Sequence, residues 1–312
     1  MMNEPIAANL TDVPHVPHVP HVPHVPLPAR SVIEADVRAA LEEDIGAGDL
    51  TAGLVPESRL AEAVVVVREA AVVCGGPWLD EVYRQLDRRV MVRWECSEGE
   101  WIEPGAVLCR LRGPTRALLS GERIALNFLQ LLCGTATSAR LFADAVAGTQ
   151  AIVLDTRKTL PGLRAAQKYA TRCGGVTNHR FGLFDAYLIK ENHIIVCGGL
   201  TTAVELARMR ATGAPVTVEI EHLEQLEQAI VAGADVVMLD NFAPQQIEQA
   251  VAQAAGRVAL EVSGGIDIAQ VRRLAETGVD RISVGALTKH VQAVDLSMRL
   301  SEAQSGVGRL AG

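Results

Sequence analysis

Residues 216–240 read VTVEIEHLEQLEQAIVAGADVVMLD and contain a complete strand, helix and strand. Two short runs rich in valine and isoleucine, 216–220 and 236–239, flank a stretch with apolar residues at helical spacing. A strand that is apolar throughout is typical of a parallel sheet whose two faces are covered by helices. The stretch therefore predicts an α/β architecture in which strands and helices alternate.

The same alternation extends over the second half of the chain. Further β-rich runs occur at 151–154, 186–189, 258–262 and 281–284. Six units of this kind predict an α/β barrel of the TIM type that is incomplete, because a full barrel has eight. A doubly wound open sheet is the competing topology, but no G-x-G-x-x-G follows the first strand.

The first half of the chain has a different pattern, with a helical stretch, several short β-rich runs and an apolar helix at 122–132. We expect an N-terminal α+β open sandwich domain over 29–127, completed by a C-terminal helix at about 287–312, and a barrel domain over 128–286. Residues 1–28 include a V-P-H repeat with four histidines. Because a proline at every third position opposes helix and sheet, this segment is expected to be a disordered tail.

The composition of the chain disfavours several classes of protein. The chain has 312 residues, 49% hydrophobic and 4% aromatic, with a net charge of −8, which disfavours a nucleic-acid-binding surface. Its six cysteines have no C-x-x-C pair and no zinc-ligand spacing, so we expect neither a disulfide framework nor a structural metal. No apolar run is long enough for a membrane helix, and no signal peptide is evident. We therefore expect a cytoplasmic protein with a small-molecule substrate.

Basic residues concentrate where the strands end, which is where barrel enzymes carry their active sites. Between 155 and 193 there are seven lysines or arginines against three acids, although the chain is acidic overall. This excess predicts binding of an organic anion by arginine forks. Three of the four lysines lie in this window: Lys158, Lys168 and Lys190. Of these, Lys168 lies in the middle of a helical stretch and is interpreted as part of a solvated face.

Carboxylates and glycines follow the later strands. Glu219 and Asp240 end the third and fourth strands, where they suit a hydrated Mg²⁺ or a developing oxocarbenium ion. An ion pair with the basic cluster is the other interpretation. Loops 263–265 and 285–286 follow the last two strands, where such barrels commonly bind phosphate. Together these features indicate transfer of a phosphorylated group onto an organic acid.

The stretch DTRKTLPGLR at 155–164, followed by GG at 174–175, NHR at 178–180 and IKENH at 189–193, resembles the signature region of the quinolinate phosphoribosyltransferase family. This family is also called nicotinate-nucleotide pyrophosphorylase (carboxylating). Further blocks match at 41–51, 122–127, 218–221, 238–242 and 261–266. The resemblance covers most of residues 30–300 and leaves the V-P-H repeat outside it.

The resemblance implies that quinolinate and phosphoribosyl pyrophosphate react to give nicotinate mononucleotide, pyrophosphate and CO₂ for de novo NAD biosynthesis. It implies a homodimer in which Arg123 reaches the neighbouring site; whether dimers assemble further stays open. It also implies Mg²⁺, held directly or through water. The residues that the resemblance assigns to quinolinate are Arg123, Thr156, Arg157, Lys158, His179, Arg180 and Lys190. Those assigned to catalysis beside the ribose are Lys158, Glu219 and Asp240, of which Glu219 and Asp240 would also hold the metal. Those assigned to phosphate are Ser263, Gly264, Gly265, Gly285 and Ala286.

Three alternatives remain at this point. A paralogous pyrophosphorylase-like protein associated with molybdenum transport would share the fold and motifs but use another acceptor; the basic residues of the dicarboxylate clamp disfavour it. A Schiff-base aldolase would use Lys190 as its amine. A non-enzymatic metal-binding protein would use the histidines of the V-P-H repeat.

Overall fold

The computed structural model of the chain describes residues 25–210 and 213–302. Residues 1–24 of the predicted tail therefore lie outside the described residues. Beyond a 3-10 helix at Ala52–Leu54, the N-terminal elements are α1 (Arg30–Ile45), β1 (Leu60–Val67), β2 (Ala71–Val72), α2 (Gly76–Leu86), β3 (Met91–Trp94), β4 (Trp101–Ile102), β5 (Val107–Pro114) and α3 (Thr115–Ala145).

The remaining elements alternate as the sequence predicts. They are β6 (Ile152–Leu154), α4 (Arg164–Cys173), β7 (Tyr187–Ile189), α5 (Glu191–Cys197), α6 (Leu200–Met209), β8 (Val216–Ile220), α7 (Glu224–Val231), β9 (Val236–Asp240), α8 (Pro244–Ala254), β10 (Ala259–Ser263), α9 (Ile268–Glu276), β11 (Arg281–Ser283), α10 (Ala286–Lys289) and β12 (Leu296–Glu302).

Strands β6 to β11 form the barrel sheet. Their order is β6-β11-β10-β9-β8-β7, all neighbours are parallel, and Thr177 adds a single parallel bridge beside Leu154. Because the strands are parallel, their carboxyl ends meet at one edge. The six strands confirm the predicted incomplete α/β barrel of the TIM type.

The N-terminal domain is built on an antiparallel sheet with the order β12-β1-β5-β3. In β1 the side chains of Ala61, Ala63, Val65 and Val67 are buried, while those between them are partly exposed. This two-residue period is that of a sheet with one face on a core. The buried face packs with residues of α1, α2 and α3 in one apolar cluster, as expected of an α+β domain.

The end of the described chain corrects one prediction. Where a helix was predicted over 287–312, the described part of that stretch, up to residue 302, forms the short α10 and then β12, which pairs antiparallel with β1; residues 303–312 lie outside the described residues. Residues 296–300 read LSMRL, so apolar and polar residues alternate with the period of a strand. The C-terminal segment does complete the N-terminal domain, but as an edge strand of its sheet.

Helix α3 joins the two domains. It has 31 residues, so the boundary expected between 127 and 128 lies inside it. Its side chains up to Ala136 belong to the N-terminal core, and those from Ala139 onward belong to the barrel core. Among the described residues, α3 included, no helix combines the length and apolar character needed to span a bilayer.

A buried polar cluster lies where α4 meets the N-terminal domain. Ligand-type atoms of Cys74, Glu98 and Cys173 lie within 4.8 Å of one another, a proximity that their spacing along the chain does not reveal. Glu98 accepts hydrogen bonds from the backbone nitrogens of Gly75 (3.2 Å) and Gly76 (2.8 Å) at the start of α2. Burial raises the pKa of Glu98, although these bonds oppose the shift. The carboxylate thus acts as the N-terminal cap of α2.

The close approach of α3 and α4 makes Gly174 a test of domain packing. A Cβ at Gly174 would lie 2.3 Å from the carbonyl oxygen of Ala136 and 2.5 Å from the Cβ of Ala139. We expect Gly174→Ala to lower the free energy of unfolding in urea by about 3 kcal/mol, the upper end of overpacking effects. Gly53→Ala is the matched control, since a Cβ there meets nothing within 4 Å. An equal loss in both variants would contradict the packing.

Candidate active site

Asp155, which directly follows β6, organises the carboxyl edge of the barrel. It is fully buried. Its Oδ1 accepts from the Nζ of Lys168 (2.5 Å) and from the backbone nitrogen of His179 (2.9 Å). Its Oδ2 accepts from the hydroxyl of Thr171 (2.9 Å) and the amide of Asn178 (2.6 Å). One carboxylate therefore fixes the loop after β6, helix α4 and the segment before β7.

The interpretation of Lys168 as a solvated residue is wrong. Its side chain is 2% exposed, and its ammonium also donates to the carbonyl oxygen of His179 (2.9 Å). Burial lowers the pKa of Lys168, and the charge of Asp155 opposes that shift. A lysine can occupy this interior face of α4 because a buried carboxylate meets it there.

Arg157 and Arg180 form a site of unbalanced positive charge. The Nε of Arg157 is buried and has no hydrogen-bond partner among the described residues. Arg180 donates from one terminal nitrogen to the carbonyl oxygen of Ala186 (3.1 Å). Burial and the positive charge of Arg157 lower the pKa of Arg180, and Asp185 opposes the shift. Two guanidinium groups close enough for the charge of one to lower the pKa of the other are suited to a ligand with two carboxylates.

Lys190 and Glu219 meet at the ends of β7 and β8. The ammonium of Lys190 forms an ion pair with the carboxylate of Glu219, which was the alternative interpretation for this acid. The backbone nitrogen of Lys190 also donates to the Nδ1 of His193 (3.1 Å), so that α5 begins with a capping box. The capping box thus fixes the backbone of Lys190 at the rim of the barrel.

Asp240 and Ser263 are paired positions at the ends of β9 and β10. Asp240 accepts from the side chain of Asn241 (3.0 Å), whose backbone nitrogen donates to the carbonyl oxygen of Ser263 (3.1 Å). A Cβ at Gly264 would lie 2.2 Å from the Oδ1 of Asn241, and its φ is +113°, so only glycine suits this position. Gly265 follows with a φ of +46°. The two loops are therefore in direct contact.

The loops after β6 and β11 are also in contact. A Cβ at Gly285 would lie 2.9 Å from the Cδ of Lys158 and 3.6 Å from the hydroxyl of Thr156. Thr288, in the short helix that begins at Ala286, donates to the carbonyl oxygen of Lys158 (2.9 Å). The absence of a side chain at Gly285 leaves room for the lysine.

Apart from Arg123, the predicted residues lie at the strand ends and in the loops at the carboxyl edge of the barrel, where the contacts above connect them in small groups. Arg123 is separate: it is exposed on α3, and none of the described hydrogen bonds or ion pairs links it to the others. The ligand assigned to each residue stays a prediction. The sequence reasoning left out Asp155 as a site residue and also Glu261, a fully buried acid in β10. A lone acid within an apolar strand was the available signal for Glu261.

Comparisons with known proteins agree with this geometry. The family model described as quinolinate phosphoribosyl transferase, N-terminal domain, matches residues 49–151, and the model of the C-terminal domain matches residues 135–299. The chain is 40% identical over 266 residues to the probable nicotinate-nucleotide pyrophosphorylase [carboxylating] of Bacillus subtilis, covering 85% of this chain and 92% of that protein.

Relatives from other lineages carry the same name. The nicotinate-nucleotide pyrophosphorylase [carboxylating] of Homo sapiens is 36% identical over 255 residues, covering 80% of this chain and 85% of that protein. The solved structure of the nicotinate-nucleotide pyrophosphorylase from Francisella tularensis superposes with a TM-score of 0.86 at 45% identity, covering 91% of this chain and all of that one. These relatives do not favour the molybdenum-transport paralogue. The chain belongs to the quinolinate phosphoribosyl transferase family.

Proposed function

We propose that this protein transfers the phosphoribosyl group of phosphoribosyl pyrophosphate to quinolinate with loss of CO₂, giving nicotinate mononucleotide for NAD biosynthesis. The observation that carries the proposal is the pair Arg157 and Arg180. The buried Nε of Arg157 has no partner among the described residues, and the positive charge of Arg157 lowers the pKa of Arg180. A dicarboxylate would satisfy both groups. Family membership supports the same substrate.

The acid would bind between the loop after β6 and the start of α5. Arg157 and Arg180 supply planar forks that match carboxylates, and Lys158 and Lys190 supply compact charges. Because Glu219 already pairs with Lys190, the charge left for the acid comes mainly from Arg157, Arg180 and Lys158, which still favours quinolinate over an acid with a single carboxylate. The second carboxylate is therefore the feature that this site would select.

The phosphoribosyl end would occupy the loops after β8 to β11. Asp240 and Glu219 end neighbouring strands and offer the carboxylate oxygens that Mg²⁺ prefers. When bound there, Mg²⁺ would neutralise charge on the pyrophosphate. The backbone amides of the loop at Gly264, with those of Gly285 and Ala286, are placed where related barrels hold phosphate.

The chemistry follows from these positions. The pyridine nitrogen forms a bond to C1 of the ribose as the bond to pyrophosphate breaks, and the carboxylates of Glu219 and Asp240 stabilise the positive charge that develops on the sugar. The alkylated ring is a pyridinium, whose positive nitrogen stabilises the electron pair left on C2 when the bond between C2 and its carboxylate breaks. A proton then replaces CO₂ on C2.

The activity is tested with purified protein, quinolinate, phosphoribosyl pyrophosphate and MgCl₂. We expect nicotinate mononucleotide and pyrophosphate in equal amounts, and loss of turnover when EDTA removes the metal. Full turnover in excess EDTA would contradict the proposed magnesium site but not the reaction itself.

The protein is also proposed to act as a homodimer in which Arg123 completes the partner's site. Its exposure on α3, with no partner among the described residues, supports this role. Exposed apolar side chains in the segment before β7 and on α5 offer a surface for a second copy; they are Leu183, Phe184, Ile195 and Val196. Six free cysteines support a reducing, cytoplasmic location.

Mixed dimers test the shared site. At a quinolinate concentration near the wild-type KM, we expect Arg123→Ala and Arg157→Ala each to be nearly inactive alone. A dimer that contains one subunit of each variant has one intact site, so co-expression should restore about a quarter of the wild-type activity in a statistical mixture. No recovery in verified mixed dimers would mean that Arg123 does not act in the neighbouring site.

A further inference from the structure

Glu261 is a carboxylate in the interior of the barrel that the proposed chemistry does not use. It lies in β10, whose neighbouring positions Leu260 and Val262 are buried and apolar, and its own exposure is 0%. A buried carboxylate is costly unless hydrogen bonds compensate for its lost hydration. The contacts of Glu261 therefore indicate its role in the barrel interior.

Both contacts of Glu261 are made through one oxygen. The hydroxyl of Ser283, in the adjacent strand β11, donates to Oε1. The Nε2 of His179 lies 3.3 Å from the same Oε1, while Oε2 is buried and has no partner among the described residues. The carboxylate thus accepts from a strand neighbour and faces a histidine of the proposed acid site.

The hydrogen bonds of His179 determine which ring nitrogen carries its proton. The backbone N–H of Arg180 donates to Nδ1 at 2.7 Å, so Nδ1 has a lone pair at that position. The ring proton therefore lies on Nε2, the nitrogen that faces Glu261. A carboxylate oxygen can accept a hydrogen bond from an N–H at this position, so the two residues are complementary.

The backbone of His179 is fixed as well. Its N–H donates to Asp155 (2.9 Å), and its carbonyl oxygen accepts from Lys168 (2.9 Å). The backbone of His179 is thus set by the buried ion pair, whereas its ring is set by Glu261 and Arg180. Of these partners, Glu261 alone contacts the Nε2 side of the ring.

We propose that Glu261 is a positioning residue, whose contact with Nε2 holds His179 in one tautomer and one ring orientation beside the arginines of the acid site. The kinetic consequences of this role rest on the proposed function, whereas the tautomer of His179 can be measured whether or not that function is correct. Without Glu261 the imidazole of His179 would adopt several orientations, and quinolinate binding would have to restrict it to one, at a cost in conformational entropy. Glu261 would therefore act on quinolinate binding rather than on the bond-breaking steps.

Kinetics separate this role from general support of the fold. We expect Glu261→Ala to raise the KM for quinolinate by about tenfold, while kcat and the KM for phosphoribosyl pyrophosphate change by less than about threefold. Glu261→Gln should restore the quinolinate KM, because its amide oxygen can accept from Nε2. Ser283→Ala is the matched control, since it removes the other donor to Glu261 and leaves His179 in place.

The tautomer is read directly by nitrogen NMR of histidine-labelled protein, with the His179 signal identified by its loss in His179→Gln. The wild type and Glu261→Gln should show the proton on Nε2. Glu261→Ala should show a mixture of tautomers, because a ring no longer held at Nε2 can turn away from the N–H of Arg180. A wild-type ring with its proton on Nδ1, or a wild-type quinolinate KM in folded Glu261→Ala, would overturn the proposal. The spectrum needs no substrate. A protein inactive on quinolinate would therefore refute the proposed function, while the role of Glu261 in fixing the tautomer of His179 would still be tested by the spectrum.

Discussion

Replacing Arg157 with alanine should raise the KM for quinolinate by about a hundredfold, with little change in the KM for phosphoribosyl pyrophosphate. A bidentate, charge-assisted pair is worth about 3 kcal/mol, which corresponds to roughly this factor. The loss falls on quinolinate because Arg157 offers a buried nitrogen that no described residue satisfies. Steady-state kinetics with each substrate varied in turn measures the effect.

Two further variants sharpen this test. Arg157→Lys keeps the charge but loses the planar fork, so its KM for quinolinate should lie between those of the wild type and Arg157→Ala. Arg38→Ala removes an exposed arginine of α1, far along the chain from the site, and should behave as the wild type. Wild-type kinetics in Arg157→Ala would remove this residue from the acid site.

The second large effect is expected at Asp155. Asp155→Ala leaves the ammonium of Lys168 buried without its carboxylate, and removing one partner of such a pair costs about 3–5 kcal/mol. It also releases the backbone of His179 and the side chain of Asn178. We therefore expect both a lower free energy of unfolding in urea and loss of turnover below the unfolding transition.

Variants of the partner separate charge from packing. Lys168→Met removes the ammonium but leaves Asp155 its three other donors, so its loss of stability should be smaller than that of Asp155→Ala. Adding Lys168→Met to Asp155→Ala should recover part of the lost stability, because no unpaired ammonium remains. If Asp155→Ala were within about 1 kcal/mol of the wild type, this buried pair would not be what organises the site.

The barrel was predictable because its strands are short, apolar and buried on both sides. All six predicted strands agree with the structure to within one residue at each end. The strand β12 was missed although 296–300 alternates in polarity, because its partner β1 lies far earlier in the chain. The local order of apolar and polar residues indicates which side chains are buried, whereas the pairing of strands from distant segments depends on the whole fold.

The candidate site was predictable to a different degree. Family motifs located the residues after each strand, but the pattern could not place Lys168, since a lysine on an amphipathic helix is usually solvated. Its burial depends on Asp155, thirteen positions earlier, and on the segment at His179. Glu261 required the same knowledge, because a histidine from another loop faces it.

The most direct measurement compares quinolinate and nicotinate as acceptors for phosphoribosyl pyrophosphate, following mononucleotide and CO₂ released from a labelled 2-carboxylate. We expect product from quinolinate only, with one CO₂ for each mononucleotide, because the proposed acid site would bind both carboxylates. Comparable turnover of nicotinate would contradict that selectivity. A folded protein that converts neither acid would contradict the proposed function.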